Sequence, residues 1–292
     1  MTTLRRVNDY LSLVKFSHTI FALPFALLGF FLATLDHGTL SLYKLALVLL
    51  CMVFARSAAM GFNRYLDRDI DVRNARTAVR EIPAGTISAR SALVFVVVNG
   101  LLFVAAAGLL NRVCLYLAPV ALLVILGYSY TKRFTYLCHF VLGLGLALAP
   151  IGAYLAVTAQ WAALPVLYGA AVLLWVSGFD IIYALQDEHF DRSEELYSIP
   201  VRLGTRNALR LGRVLHLTCA VLIVTAIYLQ QQRYPEVGAL TWVAGVVFLC
   251  LLAYQHSIVR AGDLSRINVA FFTTNGVASL LFGSLTILDM YV

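Results

Sequence analysis

Residues 61–85 read GFNRYLDRDIDVRNARTAVREIPAG and set a dense cluster of charge between two long apolar segments. Within this stretch Asn63, Asp67 and Asp71 stand four residues apart. On an α-helix, side chains at this spacing share one face and advance by about 6 Å per step along the axis. The stretch therefore predicts a helix that ends in a stripe of oxygen ligands suited to a hard cation.

A second stretch of this kind, residues 179–192, reads FDIIYALQDEHFDR and carries a further set of polar side chains on one predicted helical face. Carboxylates held close together repel one another, and they persist in an apolar protein when a divalent cation or basic groups compensate them. Mg²⁺ keeps few protein ligands and shares its shell with water and phosphate oxygens. We therefore expect the two faces to converge on one Mg²⁺ site that takes a phosphorylated substrate. The second face carries Asp180, Tyr183, Asp187 and Asp191.

The composition is that of an integral membrane protein. The 292 residues are 61% hydrophobic and 13% charged, and the mean hydropathy of +0.84 lies outside the range of soluble domains. The long apolar stretches indicate helices rather than barrel strands, because helices satisfy their own backbone within lipid. We predict an all-α, polytopic protein with nine transmembrane helices of about 17–25 residues. The predicted spans are residues 17–35, 42–62, 91–110, 113–130, 136–158, 162–186, 207–230, 237–257 and 267–288.

The distribution of Lys and Arg predicts the orientation. With the N-terminus inside, 18 of the 22 basic residues fall on the inner side, as the positive-inside rule requires. The exceptions are Lys44, Arg112 and Arg233 on the outer side and Arg56 within a span. Both aspartate stretches then face the cytoplasm. The first 16 residues are too short and too mixed for a cleaved signal, which indicates an amphipathic lead-in and direct insertion into the inner (cytoplasmic) membrane of a prokaryote.

Two further features exclude other classes. The net charge of +7 arises from basic residues in membrane-proximal loops and not from an extended basic domain, so no nucleic-acid partner is expected. The five cysteines form no CxxC pair and lie mostly in apolar spans, where they are expected to act as small core residues.

Several basic residues are candidates for binding an anion. Arg56 lies within the second span, about two turns before Asn63, and a buried arginine usually has an anionic partner. That partner is either a carboxylate, such as Asp67 or Asp187, or an anionic substrate. Basic loop residues beside metal-binding carboxylates suit a diphosphate, although the positive-inside rule alone also predicts basic loops. The loop candidates are Arg73, Arg80, Lys132 and Arg133.

The motifs NxxxDxxxD, at the end of the second span, and DxxYxxxDxxxD, at the end of the sixth, resemble those of the UbiA superfamily of intramembrane aromatic prenyltransferases. The resemblance extends over essentially the whole chain, includes RTAVREIPAG and YSIPVRLG, and is closest to the 4-hydroxybenzoate polyprenyltransferases. It implies a single membrane domain, residues 1–292, with nine helices around a lipid-open central cavity. Two positions depart from the pattern of many relatives. Arg64 stands where many relatives have Asp, and Glu81 belongs to the run Arg-Glu-Ile-Pro where many relatives have Arg-Pro-Leu-Pro.

The resemblance also implies roles for individual residues. The catalytic residues would be four aspartates that hold Mg²⁺ on a polyprenyl diphosphate, namely Asp67, Asp71, Asp187 and Asp191. The substrate-binding residues would be Asn63 beside the metal, Asp180 and Tyr183 of the second motif, and Arg73, Arg80, Lys132 and Arg133 on the diphosphate. The expected aromatic acid needs a cationic partner for its carboxylate, and Arg56 is the candidate because it lies on the stripe of Asn63, about two turns deeper.

The expected activity is Mg²⁺-dependent transfer of a polyprenyl group from polyprenyl diphosphate to the ring of an aromatic acid, 4-hydroxybenzoate, in quinone biosynthesis. A hydroxynaphthoate acid of a menaquinone route is the alternative acceptor. A membrane phosphatidyltransferase is disfavoured because its DG...AR...G...D...D arrangement is missing. A transporter is disfavoured because the carboxylates cluster at one interface and not at the midplane.

Overall fold

The structure is a computed structural model, which describes residues 9–14 and 20–292. The basic residues of the N-terminal lead-in, Arg5, Arg6 and Lys15, and the start of the first predicted span at residues 17–19 lie outside the described residues. In the described part of the chain the secondary structure is helical, with no strand beyond one isolated bridge between Arg260 and Asp263.

Ten α-helices of six residues or more follow residue 20, together with a 3₁₀ turn and a π-helix. They are α1 (Leu23–His37), α2 (Leu42–Asp71), α3 (Ala89–Leu110), α4 (Arg112–Thr131), α5 (Cys138–Thr158), α6 (Ala163–Ala184), the 3₁₀ turn Leu185–Asp187, α7 (Glu188–Ser193), α8 (Ile199–Arg233), α9 (Ala239–Ile258), the π-helix Val269–Thr274 and α10 (Asn275–Asp289).

Eight helical segments of the described chain are long and apolar enough to cross a membrane, and α1 is a shorter apolar helix of 15 residues. Each of the nine predicted spans therefore corresponds to an observed helix, and the all-α, polytopic fold class is confirmed. The boundaries differ at the charged stretches: α2 continues past residue 62 to Asp71, and α8 begins at Ile199 instead of residue 207. Polar residues extend these helices beyond the apolar part that the hydropathy pattern detects.

The chain forms two compact units, one made of residues 1–19 and 42–130 and the other of residues 20–41 and 131–292. In the first unit α2 packs along α3, and Gly61 allows the approach because an added Cβ would lie 3.0 Å from Val96 Cγ2. Ser88 caps α3, since its Oγ accepts the N–H of Ser91 at 3.1 Å. The short helical segment at residues 9–13 packs on Ile87 at the start of α3.

The second unit contains α1 and α5–α10 around an aromatic core. Trp175 of α6 is fully buried among Phe25, Phe248 and Phe179. Its indole Nε1 donates to Asn275 Oδ1 at 3.0 Å, which satisfies two polar groups that would otherwise be buried without partners.

Small residues allow α5 and α6 to pack closely in this unit. A Cβ at Gly143 would lie 2.5 Å from the carbonyl oxygen of Leu173, and one at Gly169 would lie 2.9 Å from that of Ala147. Residues 143–153, GLGLALAPIGA, are rich in small side chains and therefore form a close helix contact.

One end of the second unit is closed by polar contacts between segments far apart in sequence. Asp36 at the end of α1 accepts hydrogen bonds from Arg233 Nη2 at 2.6 Å and from Tyr154 Oη at 2.5 Å. The hydroxyls of Thr34 and Tyr291 lie 2.8 Å apart. These bonds join α1 to α5, to the end of α8 and to the chain terminus.

Candidate active site

The first aspartate motif lies at the end of α2. Asn63, Asp67 and Asp71 follow one another at single-turn spacing, and the two aspartates are only 2% and 4% exposed. Asn63 Nδ2 donates to Asp67 Oδ2 at 3.1 Å. The stripe predicted from the spacing is therefore present, and its first two members contact each other.

A cation from the following loop binds Asp71. Arg80 Nη1 donates to both carboxylate oxygens of Asp71 at 2.8 Å, and Thr77 Oγ1 donates to the Asp71 carbonyl oxygen at 3.2 Å. The loop thus turns back over the end of α2. Because an isolated buried carboxylate is costly, the guanidinium of Arg80 offsets the cost of burying Asp71.

Two buried arginines accompany this motif. Arg64 is 4% exposed, and its Nε has no hydrogen-bond partner in the described chain. Its electrostatic neighbours include Asp71, Arg80 and Glu81. Arg56, two turns earlier on α2, has the Tyr128 phenol of α4 as a neighbour. The first unit therefore surrounds its carboxylates with guanidinium groups, as expected of a site for a highly charged anion.

The second aspartate motif begins in α6 and continues through a change of helix type. Asp180 and Tyr183 belong to α6, Asp187 ends the 3₁₀ turn, and Asp191 lies in α7. A 3₁₀ turn advances by about 20° more per residue than an α-helix, so three residues shift the register by about 60°. The four side chains are therefore not members of one continuous α-helical stripe, which corrects the single face predicted from the spacing.

The loop before α5 supplies a cation beside this second motif. Lys132 and Asp187 are electrostatic neighbours of Asp191. Two backbone bonds fix the arrangement, since Leu196 N donates to the Asp191 carbonyl at 2.8 Å and Tyr197 N donates to the Lys132 carbonyl at 2.7 Å. Lys132 and Arg133 are both partly buried, whereas Arg73 of the first unit is exposed.

A histidine that the motif analysis did not select binds Asp180. His139 of α5 is 4% exposed, and its Nδ1 lies 2.7 Å from Asp180 Oδ2. A lone His in an apolar span carries a signal that sequence analysis can use, because an ionisable residue at membrane depth normally has a partner. The sequence does not identify that partner.

The donor atoms of both motifs are of the kind that Mg²⁺ prefers, namely carboxylate and amide oxygens. Among the residues that the structure describes, no group of three or more His, Cys, Asp or Glu side chains is arranged to hold a metal ion. Two carboxylates beside arginine or lysine in each unit are consistent with a cation that completes its shell with substrate oxygens and water.

Comparison with known proteins identifies the family. The model of the UbiA prenyltransferase family matches residues 22–277, which include both aspartate motifs and parts of both units. The chain belongs to the UbiA prenyltransferase family. The resemblance read from the two motifs is thereby confirmed, and the chain is an enzyme of the prenyltransferase class.

Two curated relatives of this UbiA prenyltransferase carry the same name. The 4-hydroxybenzoate octaprenyltransferase of Tolumonas auensis is 30% identical over 244 residues, which cover 83% of each chain. The protein of the same name from Photobacterium profundum is 27% identical over 291 residues, or 97% of this chain and 96% of the relative.

Solved structures agree with the fold of the UbiA prenyltransferase. The apo structure of a UbiA homolog from Aeropyrum pernix has a TM-score of 0.82 and 33% identity, and the match covers 94% of this chain and 98% of that one. A UbiA homolog from Archaeoglobus fulgidus, solved with GPP and Mg²⁺, has a TM-score of 0.75 at 22% identity and shares the fold over 97% of this chain.

Within each unit the UbiA prenyltransferase brings several predicted site residues together. In the first unit hydrogen bonds join Asn63 to Asp67 and Arg80 to Asp71. In the second unit Asp187 and Lys132 are neighbours of Asp191. Their roles toward substrate and metal stay predictions. The residues that motif analysis missed are Tyr128 and His139, each of which lies outside the spaced motifs.

Proposed function

We propose that this UbiA prenyltransferase transfers a polyprenyl group from polyprenyl diphosphate to the ring of 4-hydroxybenzoate, in quinone biosynthesis. The observation that carries the proposal is the pair of buried carboxylates, Asp67 and Asp71, in a helix of membrane-spanning length. Such carboxylates need cationic partners. The names of the curated relatives support the identity of both substrates.

In this proposal the diphosphate is held by the chain's own charges and by Mg²⁺. Asp67, Asp71, Asp187 and Asp191 are the metal ligands, with Asn63 beside them. Mg²⁺, when bound, supplies positive charge that stabilises the diphosphate as a leaving group. The diphosphate oxygens bind basic side chains, which add to the same stabilisation where charge develops in the transition state. These are Arg73, Arg80, Lys132 and Arg133.

The acceptor is recognised by its carboxylate and reacts through a ring carbon. A carboxylate that enters an apolar cavity needs a cationic partner, and we assign that role to Arg56. The bond between the allylic carbon and the diphosphate oxygen breaks, a ring carbon attacks the allylic carbon, and the ring then loses a proton. Apolar helices exclude water from the reactive carbon and accommodate the isoprenoid tail.

Glu81 bears on the choice of acceptor, because it is one of the two departures from the pattern of many relatives. Its Oε1 accepts a hydrogen bond from Ser12 Oγ at 2.5 Å, so the side chain ties the N-terminal segment to the loop. This contact gives Glu81 a structural role. The names of the curated relatives favour 4-hydroxybenzoate over a hydroxynaphthoate acid. Family membership likewise favours an enzyme over a transporter.

The test is product identification by mass spectrometry. Membranes that contain the protein receive a polyprenyl diphosphate and either 4-hydroxybenzoate or a hydroxynaphthoate acid, with Mg²⁺ or with EDTA. We expect prenylated 4-hydroxybenzoate only when Mg²⁺ is present, and no product from Asp67→Asn, Asp71→Asn, Asp187→Asn or Asp191→Asn. Asp69→Asn is the matched control, since Asp69 lies on the same helix but its side chain is 75% exposed. Full activity in metal-free buffer, or exclusive use of the naphthoate, would overturn the proposal.

A further inference from the structure

The pairing of His139 with Asp180 fixes the orientation of a carboxylate on the helix that carries the second motif. His139 uses both ring nitrogens: Nδ1 lies 2.7 Å from Asp180 Oδ2, and Nε2 lies 3.3 Å from the backbone nitrogen of Ile199. The imidazole is itself 4% exposed and is held from two sides. Asp180 Oδ2 therefore has a fixed partner.

The backbone contact determines which nitrogen carries the proton. The N–H of Ile199 can only donate, so Nε2 must accept and cannot bear a hydrogen. The proton of the neutral ring is then on Nδ1, which donates to Asp180. The same arrangement, in which one group fixes the orientation and proton of a second group that does the chemistry, recurs in catalytic triads.

The other oxygen of Asp180 is available. Oδ1 makes no hydrogen bond to any residue that the structure describes, and the side chain is 22% exposed although its partner is buried. Asp180 precedes Asp187 by seven residues, which is about 10 Å along a helix. Between them the ring of Tyr183 stacks on Phe271, with centroids 4.0 Å apart.

We propose that Asp180 Oδ1 accepts the proton that the aromatic ring loses after prenyl transfer, and that His139 positions Asp180 for this step. The inference rests on the proposed function. When the allylic carbon has bonded to the ring carbon, the carbon–hydrogen bond at that carbon breaks and its electron pair restores the aromatic ring. The proton moves to Oδ1, and the diphosphate has already departed with the electrons of its carbon–oxygen bond.

A deuterium isotope effect tests this role, because a structural ion pair would not change it. The substrate is 4-hydroxybenzoate deuterated at the two ring carbons beside the hydroxyl, compared with the unlabelled acid. We expect no isotope effect on kcat for the unaltered protein, in which ionisation of the allylic diphosphate limits the rate. Asp180→Asn should lower kcat by about 10²–10⁴-fold, the usual contribution of a general base, and should show an isotope effect clearly above 1 since proton loss now limits the rate.

Two substitutions of His139 separate positioning from packing. His139→Gln keeps a donor for Asp180 and an acceptor for Ile199, and should keep near-normal kcat without an isotope effect. His139→Leu removes both the donor and the acceptor. It should produce an isotope effect on kcat between that of the unaltered protein and that of Asp180→Asn. These two variants decide the question even if Asp180→Asn fails to insert or fold.

The outcomes are distinguishable from those of the proposed function. If the unaltered protein forms no prenylated aromatic acid, the proposed function fails and this inference fails with it. If the unaltered protein is active and Asp180→Asn and His139→Leu both show an isotope effect of 1, the proposed function stands and the proton-accepting role of Asp180 is overturned.

Discussion

A carboxylate buried in a membrane-spanning helix is stabilised by whatever charge the neighbouring chain supplies, and the two aspartates of α2 obtain that charge differently. Asp67 receives an amide hydrogen from Asn63, whereas Asp71 receives a full positive charge from Arg80. The amide of Asn63 carries no net charge. Arg80 neutralises Asp71, so the two aspartates should respond differently to substitution of their neighbours.

Removal of Arg80 should therefore lower both the stability of the protein and its affinity for polyprenyl diphosphate. Leaving one member of a buried ion pair alone generally costs ~3–5 kcal/mol, and the Asp71 side chain is only 5% exposed. We expect Arg80→Gln to lower the thermal unfolding temperature in detergent and to raise the KM for polyprenyl diphosphate. The double variant Arg80→Gln/Asp71→Asn should recover the unfolding temperature but not activity, because it removes the stranded charge.

Arg73 provides the matched control for Arg80. It follows Asp71 in the same loop and carries the same predicted role toward the diphosphate, but its side chain is exposed. Arg73→Gln should raise the KM and leave the unfolding temperature unchanged. An equal loss of thermal stability in both variants would contradict the importance of the Arg80–Asp71 pair.

Arg56 is expected to affect only one of the two substrates. It lies on α2 about two turns before Asn63, with Tyr128 as a neighbour. If it binds the acceptor carboxylate, Arg56→Ala should raise the KM for the aromatic acid at least tenfold, the effect of losing about 1.4 kcal/mol of binding free energy, and should change the KM for polyprenyl diphosphate little. Arg112→Ala, at the exposed start of α4, is the control. Equal changes in both KM values would return Arg56 to a structural role.

At the scale of single elements, α8 contains a break that hydropathy does not reveal. Gly204 has φ 73° and ψ 161° inside the helix Ile199–Arg233, a region of backbone conformation open essentially to glycine alone. The residues of α8 before Gly204 include Ile199, whose backbone N–H donates to His139 Nε2. The break therefore separates the part of α8 that contacts the site from its long apolar remainder.

Substitution of Gly204 should strain this break. A side chain in such a conformation costs ~1–3 kcal/mol, so Gly204→Ala should lower the thermal unfolding temperature. Gly152→Ala is the control, because Gly152 lies in α5 with ordinary helical geometry and no atom within 4 Å of the added Cβ. We expect that control to be neutral or slightly stabilising, since alanine favours helices. The measurement is a thermal melt of each variant in the same detergent, and equal unfolding temperatures would refute the assigned strain.

The structure departs from the sequence-based predictions at the end of α2 and in the second motif, for two different physical reasons. Hydropathy detects the apolar part of a helix, so it correctly predicted nine segments but ended the second one at residue 62 although α2 reaches Asp71. Residue spacing assumes one helix type, so it predicted a single face for Asp180, Tyr183, Asp187 and Asp191. The 3₁₀ turn Leu185–Asp187 depends on how the surrounding chain packs. Its three residues, LQD, carry no local signal of a change from α-helix to 3₁₀ helix.

For the whole molecule, the positive-inside rule makes a prediction about sidedness. Both aspartate motifs are expected to face the cytoplasm. The structure selects the best positions for labelling, because Thr77 is buried whereas Val79 and Ser193 are exposed, as is Thr39 after α1. In a variant whose five native cysteines are replaced, Val79→Cys and Ser193→Cys should react only with thiol reagents admitted to the inner side. Thr39→Cys should react from outside, and labelling of Val79→Cys and Ser193→Cys from opposite sides would contradict the predicted topology.

At this scale the sequence was most informative where chemistry is concentrated in short motifs. The aspartates, Asn63 and Arg80 were predicted as site residues, and their hydrogen bonds within the first unit follow from helical spacing and one short loop. His139 was not selected because its contact with Asp180 joins residues 41 positions apart. Such contacts depend on the tertiary arrangement of α5 and α6, which local periodicity does not encode.

The bonds that Asp36 makes at the end of α1 have a consequence for biosynthesis. Asp36 is made early, but its partner Arg233 follows 197 residues later. At a synthesis rate of ~5–20 residues per second, α1 waits about 10–40 seconds for that partner. The hydroxyl of Tyr291, which pairs with Thr34, is made 257 residues after its partner. Until then the nascent helix is exposed to lipid, insertion factors and proteases with an acid at its end that still lacks its cationic partner. Premature termination before residue 233 should therefore lead to degradation of the nascent protein.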